Sequence, residues 1–212
     1  MKLTLLTLFV LLTSTAFAQM SGTYQITYGQ GLDGAAYGGV VHMEEGQEGI
    51  LHMAWETSTG HSYQGIGLTD GSDIWAGWGT GSNYGVAVYS IESGHLNGAW
   101  IDSHGRVGTE VVYGGAHLNG TYSIAGTNPD ESDYEGSLFI VPAGETYQFV
   151  WETGNYTYSG VGYMVGNTGT VVVGWAYGEN AGVVHYKMDG GIGTGKWAVS
   201  GSHVLGIENI QY

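Results

Sequence analysis

The chain repeats itself once, and that repetition limits every fold it can adopt. Gly22-Thr23-Tyr24 returns as Gly120-Thr121-Tyr122, Trp55-Glu56-Thr57 as Trp151-Glu152-Thr153, and Gly77-Trp78 as Gly174-Trp175. Gly65-x-Gly67 returns as Gly160-x-Gly162, and Gly85-Val86 as Gly182-Val183. Tyr37, Tyr89, Trp100 and Glu110 return as Tyr134, Tyr186, Trp197 and Glu208. The separations stay between 95 and 98 residues, so the two copies are collinear with short gaps. The boundary falls near Gly114-Gly115. The chain divides into a leader over residues 1–18, a first unit over 19–115 and a second over 116–212. Each unit is long enough for a small domain of its own.

Helices do not fit either unit. The sequence holds 40 glycines, which interrupt nearly every window, and each would cost a helix about 1 kcal/mol relative to Ala. Alternation with period two is plentiful instead. Tyr24, Ile26 and Tyr28 share one face of a strand, and Leu51, Met53 and Trp55 share one face of another. The first unit offers eight strands, near 22–28, 37–44, 49–57, 62–69, 73–79, 84–91, 95–102 and 107–113, and the second offers the matching eight. Their connections are short and rich in Gly, Asp, Asn, Ser and Glu, as hairpin turns require.

An eight-stranded meander left open would expose two edges, and closure removes both. The expected fold is therefore all-β, with each unit closing as an eight-stranded antiparallel up-and-down barrel and two such barrels in tandem. β-Sandwiches are the alternative. Glycine pairs within strands, such as Gly65/Gly67 and Gly160/Gly162, allow sharp coiling and leave room for an aromatic ring from a neighbour. Trp55, Trp78, Trp100, Trp151, Trp175 and Trp197 are the natural fillers. A single sixteen-stranded membrane pore fits poorly, because strands such as 49–57 carry apolar residues on both faces.

Met1-Lys2, the apolar run Leu3–Leu12 and Ala16-Phe17-Ala18 together read as a secretory signal peptide cleaved after Ala18. The expected location is outside the cytoplasm, periplasmic or extracellular, with no transmembrane segment in the mature chain. A formal net charge of −15, from 4 basic and 19 acidic residues, argues against nucleic acid as a partner. The absence of cysteine excludes disulfides, thiolate metal sites and a cysteine nucleophile.

Gly120-Thr-Tyr-Ser-Ile-Ala-Gly-Thr-Asn-Pro-Asp130, Tyr134-Glu-Gly136, Gly144-Glu-Thr-Tyr147, Val150-Trp151, Gly182-Val-Val184, Trp197 and Gly206-Ile-Glu208 form a connected pattern. This pattern resembles a family of small exported bacterial β-rich proteins, some of which carry the label fibronectin-binding protein. The resemblance spans the second unit and extends more loosely to the first, which has Gly31-Leu32-Asp33 in place of the Asn-Pro-Asp turn. It implies an exported β-rich fold and an extracellular matrix partner. It carries no catalytic residues to these positions.

The residues themselves supply little catalytic chemistry. No Gly-x-Ser-x-Gly elbow is present. The Gly-x-Gly steps precede no helix, so they do not read as phosphate loops. Eight histidines lack His-x-x-x-His spacing, although His42 and His52 lie on neighbouring strands. Glu56 and Glu152, each following a Trp, are the leading candidates for glycoside hydrolysis, and Glu110 and Glu208 recur in the same way. The acidic turn holding Asp130, Glu131, Asp133 and Glu135 is the candidate calcium site. The six tryptophans named above are the candidate ligand-binding residues, since some can line a barrel mouth. The expected function is a secreted, non-catalytic binding or adhesion module for a matrix protein or glycan. An envelope hydrolase acting on polysaccharide and a purely structural envelope protein are the alternatives.

Overall fold

The structure, a computed structural model, describes residues 20–47, 49–178 and 180–212. The signal peptide expected over 1–18 lies outside them. The first unit forms β1 (Gly22–Gln30), β2 (Ala36–Glu45), β3 (Ile50–Thr57), β4 (Ser62–Thr69), β5 (Asp73–Gly79), β6 (Tyr84–Glu92), β7 (His95–Asp102) and β8 (Val107–Val112). After a single-turn 3₁₀ helix at Gly115–His117, the second forms β9 (Gly120–Thr127), β10 (Asp133–Ala143), β11 (Thr146–Thr153) and β12 (Tyr156–Val165). It ends with β13 (Thr170–Ala176), β14 (Ala181–Asp189), β15 (Ile192–Val199) and β16 (Gly206–Gln211). The alternation in the sequence places the first eight strands to within two residues.

All neighbouring strands pair antiparallel, and they close into two eight-stranded barrels. The expected fold class is therefore what the chain adopts, and no sixteen-stranded ring forms. The barrels, however, do not coincide with the repeats. Barrel 1 runs in the order β1-β16-β15-β14-β5-β4-β3-β2, and barrel 2 in the order β10-β11-β12-β13-β6-β7-β8-β9. Each takes five strands from one unit and three from the other. Barrel 2 is one continuous stretch, β6 to β13, inserted between β5 and β14 of barrel 1. The division of barrels at residues 115 and 116 is corrected accordingly: the units 19–115 and 116–212 exchange their last three strands.

Two features of the sequence permit this exchange. First, β6 and β14 hold equivalent places in the repeat and share Gly-Val and Tyr at matching positions, so β5 finds an equivalent backbone partner in either; exchange of equivalent elements costs little. Second, glycines let the strands that cross over touch backbone to backbone. A Cβ on Gly77 of β5 would lie 2.1 Å from the Gly85 carbonyl oxygen of β6, and one on Gly174 of β13 would lie 2.0 Å from that of Gly182 on β14. The crossovers also hydrogen-bond to each other, with Tyr177 N–H donating to Asn83 O at 2.8 Å and Thr80 N–H to Asn180 O at 3.2 Å. Between the barrels lies a buried apolar seam of outward-facing Ile66, Val86, Ile101, Val161, Val172 and Val183. At one margin of that seam the seventh tryptophan, Trp75, stacks on His185.

Each barrel is filled at one end and open at the other. Leu51, Ile74 and Ile210 fill barrel 1, and Leu96, Leu138 and Phe149 fill barrel 2. Met20 and Leu118, equivalent residues leading into β1 and β9, pack beneath these cores at the filled ends. The connection between β5 and β6 has four residues, 80–83, and spans at most about 14 Å. The open end of barrel 1 packs against the filled end of barrel 2: the β15–β16 loop meets the β10–β11 turn, with Glu145 N–H donating to His203 O at 2.9 Å and Thr146 Oγ1 donating to Ser202 O.

Candidate ligand-binding site

The six in-barrel tryptophans gather in two sets of three around the two open ends. Trp55, Trp78 and Trp197 line a cavity of about 270 Å³ in barrel 1; Trp100, Trp151 and Trp175 line one of about 660 Å³ in barrel 2. Each set draws on both units. The rings lie over glycines of adjacent strands, as the Gly pairs in the sequence led us to expect. A Cβ on Gly65 would meet Trp55 at 2.8 Å, and one on Gly206 would meet Trp197 at 2.1 Å. Glycine thus sets how deep each indole sits.

At the floor of each cavity is a buried glutamate. Glu208 in barrel 1 and Glu110 in barrel 2 are each 4% exposed. Glu208 accepts hydrogen bonds from Tyr37 Oη (2.7 Å), Trp55 Nε1 (3.1 Å) and Tyr186 Oη. Glu110 accepts from Tyr89 Oη (2.7 Å), Tyr134 Oη (2.9 Å) and Trp151 Nε1 (3.1 Å). The sets correspond residue for residue across the repeat, and each again mixes the two units. Among the described residues neither glutamate has a cationic partner. Burial pushes both carboxyls above the usual glutamate range, and the hydrogen bonds offset only part of that. Burial, and then the facing carboxylate, pushes all four phenols up as well, which keeps them protonated as donors.

The two mouths differ around these shared floors. In barrel 2, Trp100 Nε1 donates to Tyr134 Oη at 3.0 Å and extends the chain of hydrogen bonds; the equivalent Trp197 Nε1 is buried without a partner. Barrel 2 also carries Arg106, held by Asp102 at 2.8 Å through Nε and 2.6 Å through Nη2. Barrel 1 has Val199 and Val204 at the corresponding positions of the repeat. Tyr156, Tyr158 and Tyr177 form an aromatic rim on barrel 2, with ring centroids 5.8 to 6.4 Å apart.

Other candidates fall elsewhere. Glu56 and Glu152 are exposed on the outer faces of β3 and β11, away from the cavities their neighbours Trp55 and Trp151 line. The four carboxylates of the expected calcium turn do not converge. Asp130 Oδ1 accepts from Ser132 N and Oγ, and Asp133 Oδ1 accepts from Thr127 Oγ1. Among the described residues, no three His, Asp or Glu side chains come together as a metal ion requires. His42 bonds Thr23 Oγ1 at 2.9 Å instead of meeting His52. Also among the described residues, no helix is long and apolar enough to cross a membrane. The floor glutamates were legible as a recurrent pair. Period two makes Gly108, Glu110 and Val112 share the inward face of β8, as do Gly206, Glu208 and Ile210 on β16. No family model matches the sequence, and no curated protein matches it at a significant level.

Proposed function

We propose that the protein is an exported, non-catalytic binding protein that receives its ligand in the open mouths of the two barrels. The observation that carries this reading is the same arrangement built twice: a ring-walled cavity over a buried acid. Concave, largely aromatic cavities with few polar groups are the usual form of small-ligand sites. Because the far ends are packed by Met20 and Leu118, a ligand enters from one side only. It is therefore a compact group, such as the end of a glycan chain or a side chain presented by a matrix protein. The resemblance to exported bacterial proteins points to the same class of partner. A binding role is favoured over hydrolysis because Glu110 and Glu208 are each held by three donors, while Glu56 and Glu152 face outward.

Titration of residues 19–212 against fibronectin and a panel of glycan oligomers, followed by calorimetry and tryptophan fluorescence, tests the proposal. Saturable binding without release of cleaved product is expected. Trp175→Ala, which removes a wall of the larger cavity, should weaken that binding by about tenfold or more. Turnover of a glycan, or flat titrations throughout, would overturn the reading.

A further inference from the structure

We propose that the mouth of barrel 1 is a cage for an organic ammonium group, enclosed by Tyr37, Trp55, Tyr63, Trp78 and Trp197 over the carboxyl of Glu208. The inference rests on the reading of this mouth as a binding pocket and names the chemistry it takes.

The walls come first. Trp55 and Trp78 have ring centroids 5.6 Å apart at 47°, Tyr63 and Trp78 lie 6.0 Å apart at 53°, and Tyr37 and Trp197 lie 6.4 Å apart at 74°. These rings pack on one another edge to face or tilted, and all five border the same cavity. A flat sugar ring stacks on one aromatic platform. A rounded cation gains from several ring faces at once, because each face carries negative charge density. The cavity, about 270 Å³, lies at the small end for ligand sites and suits a compact head group.

The polar groups point the same way. A neutral sugar needs hydrogen-bonding partners around its edge. Around this cavity several are already engaged: Asp33 Oδ1 accepts from Ala35 N, and Thr57 Oγ1 bonds Thr59 Oγ1 and His61 O. Glu208 is bonded by three donors, yet no Lys or Arg lines the cavity to balance its charge. A quaternary ammonium asks for no further hydrogen bond and supplies the missing positive charge. The formal net charge of −15 steers cations toward the molecule. Barrel 2 provides an internal contrast. Its larger mouth holds Arg106 and the amides of Asn83, Asn128 and Asn155, which suit a more polar ligand.

The test uses residues 19–212 and choline as the probe, against its neutral isostere 3,3-dimethyl-1-butanol and against glucose, all at one ionic strength. Choline should bind saturably and quench tryptophan fluorescence, with the isostere weaker by about tenfold or more. Glu208→Gln should weaken choline binding by a comparable factor. Tyr63→Leu removes a rim ring, 41% exposed, without touching the core, and should weaken it several-fold. Tyr113→Leu, at the filled end of barrel 2, should change nothing. Equal binding of choline and its isostere, or a Tyr63→Leu variant that binds choline as the parent does, would overturn the inference. So would failure of choline to bind. If glycans or fibronectin still bind in that case, the general binding reading stands and only the ammonium cage falls; if no probe binds, both fall.

Discussion

At the scale of single residues, the floor glutamates are the most demanding groups to bury. A buried carboxyl is tolerated only with strong hydrogen bonds, and three donors meet each one here. Gln in place of Glu presents two amide N–H donors where the protonated carboxyl presents one O–H, so Glu110→Gln or Glu208→Gln should destabilise the fold by about 1 kcal/mol at acid pH. The pH dependence follows from the upward shifts. A carboxyl whose pKa rises on folding holds its proton more tightly in the native state. Its contribution to stability is full below the ordinary glutamate range and is lost as pH rises through the native value. Asp70 and Asp73 run the opposite way. Their lowered values contribute above the ordinary aspartate range and are lost as pH falls through the native values. Urea unfolding at several pH values should show stability falling from about pH 4 upward in the parent. The Glu110→Gln/Glu208→Gln double variant should show a clearly shallower fall, and identical slopes would contradict the assignment.

At the scale of elements, glycine decides where strands and rings may approach. Trp55, Trp100 and Trp197 could be matched to in-strand glycines from the alternation alone, because a ring over a missing Cβ is a local matter between neighbours. Strand limits were legible for the same reason. Glu56 and Glu152 took precedence over Glu110 and Glu208 because an acid beside a tryptophan stands out in a sequence. The inward face of β8 and β16 emerges only when strand alternation is followed through Gly108-Glu110-Val112 and Gly206-Glu208-Ile210. The contacts of Gly77 with Gly85 and of Gly174 with Gly182 join different barrels, and no local pattern announces them. Gly174→Ala sets a methyl 2.0 Å from a backbone oxygen that cannot swing aside. We expect a loss of about 1–3 kcal/mol, read by thermal or urea unfolding, with the seam around Val172 and Val183 losing amide-exchange protection first. A neutral Gly174→Ala would mean that the backbones do not meet there.

At the scale of the whole molecule, neither unit completes a pocket by itself. Tyr37 and Trp55 come from the first unit and Tyr186, Trp197 and Glu208 from the second; barrel 2 mixes the units in the converse sense. The sequence carries one sign of this: Asp73 of β5 finds Lys187 and His185 on β14, where β6 would offer Ser90 and Val88. The rest of the repeated pattern would let β5 pair with either strand, so repetition reveals the strands and conceals most of the partners. The exchange also joins the two barrels through a pair of mutually hydrogen-bonded crossovers.

A cysteine pair placed across the exchanged junction tests this arrangement most directly, in a chain that has no cysteine of its own. Asp73 of β5 lies opposite Lys187 of β14, and Ser90 of β6 occupies the corresponding place if each unit closes alone. Paired positions on neighbouring antiparallel strands lie within disulfide reach. Oxidation of the monomer followed by peptide mass spectrometry should show a bridge in the Asp73→Cys/Lys187→Cys variant and none in Asp73→Cys/Ser90→Cys. The reverse result would contradict the exchange and, with it, the assembly of each pocket from both units.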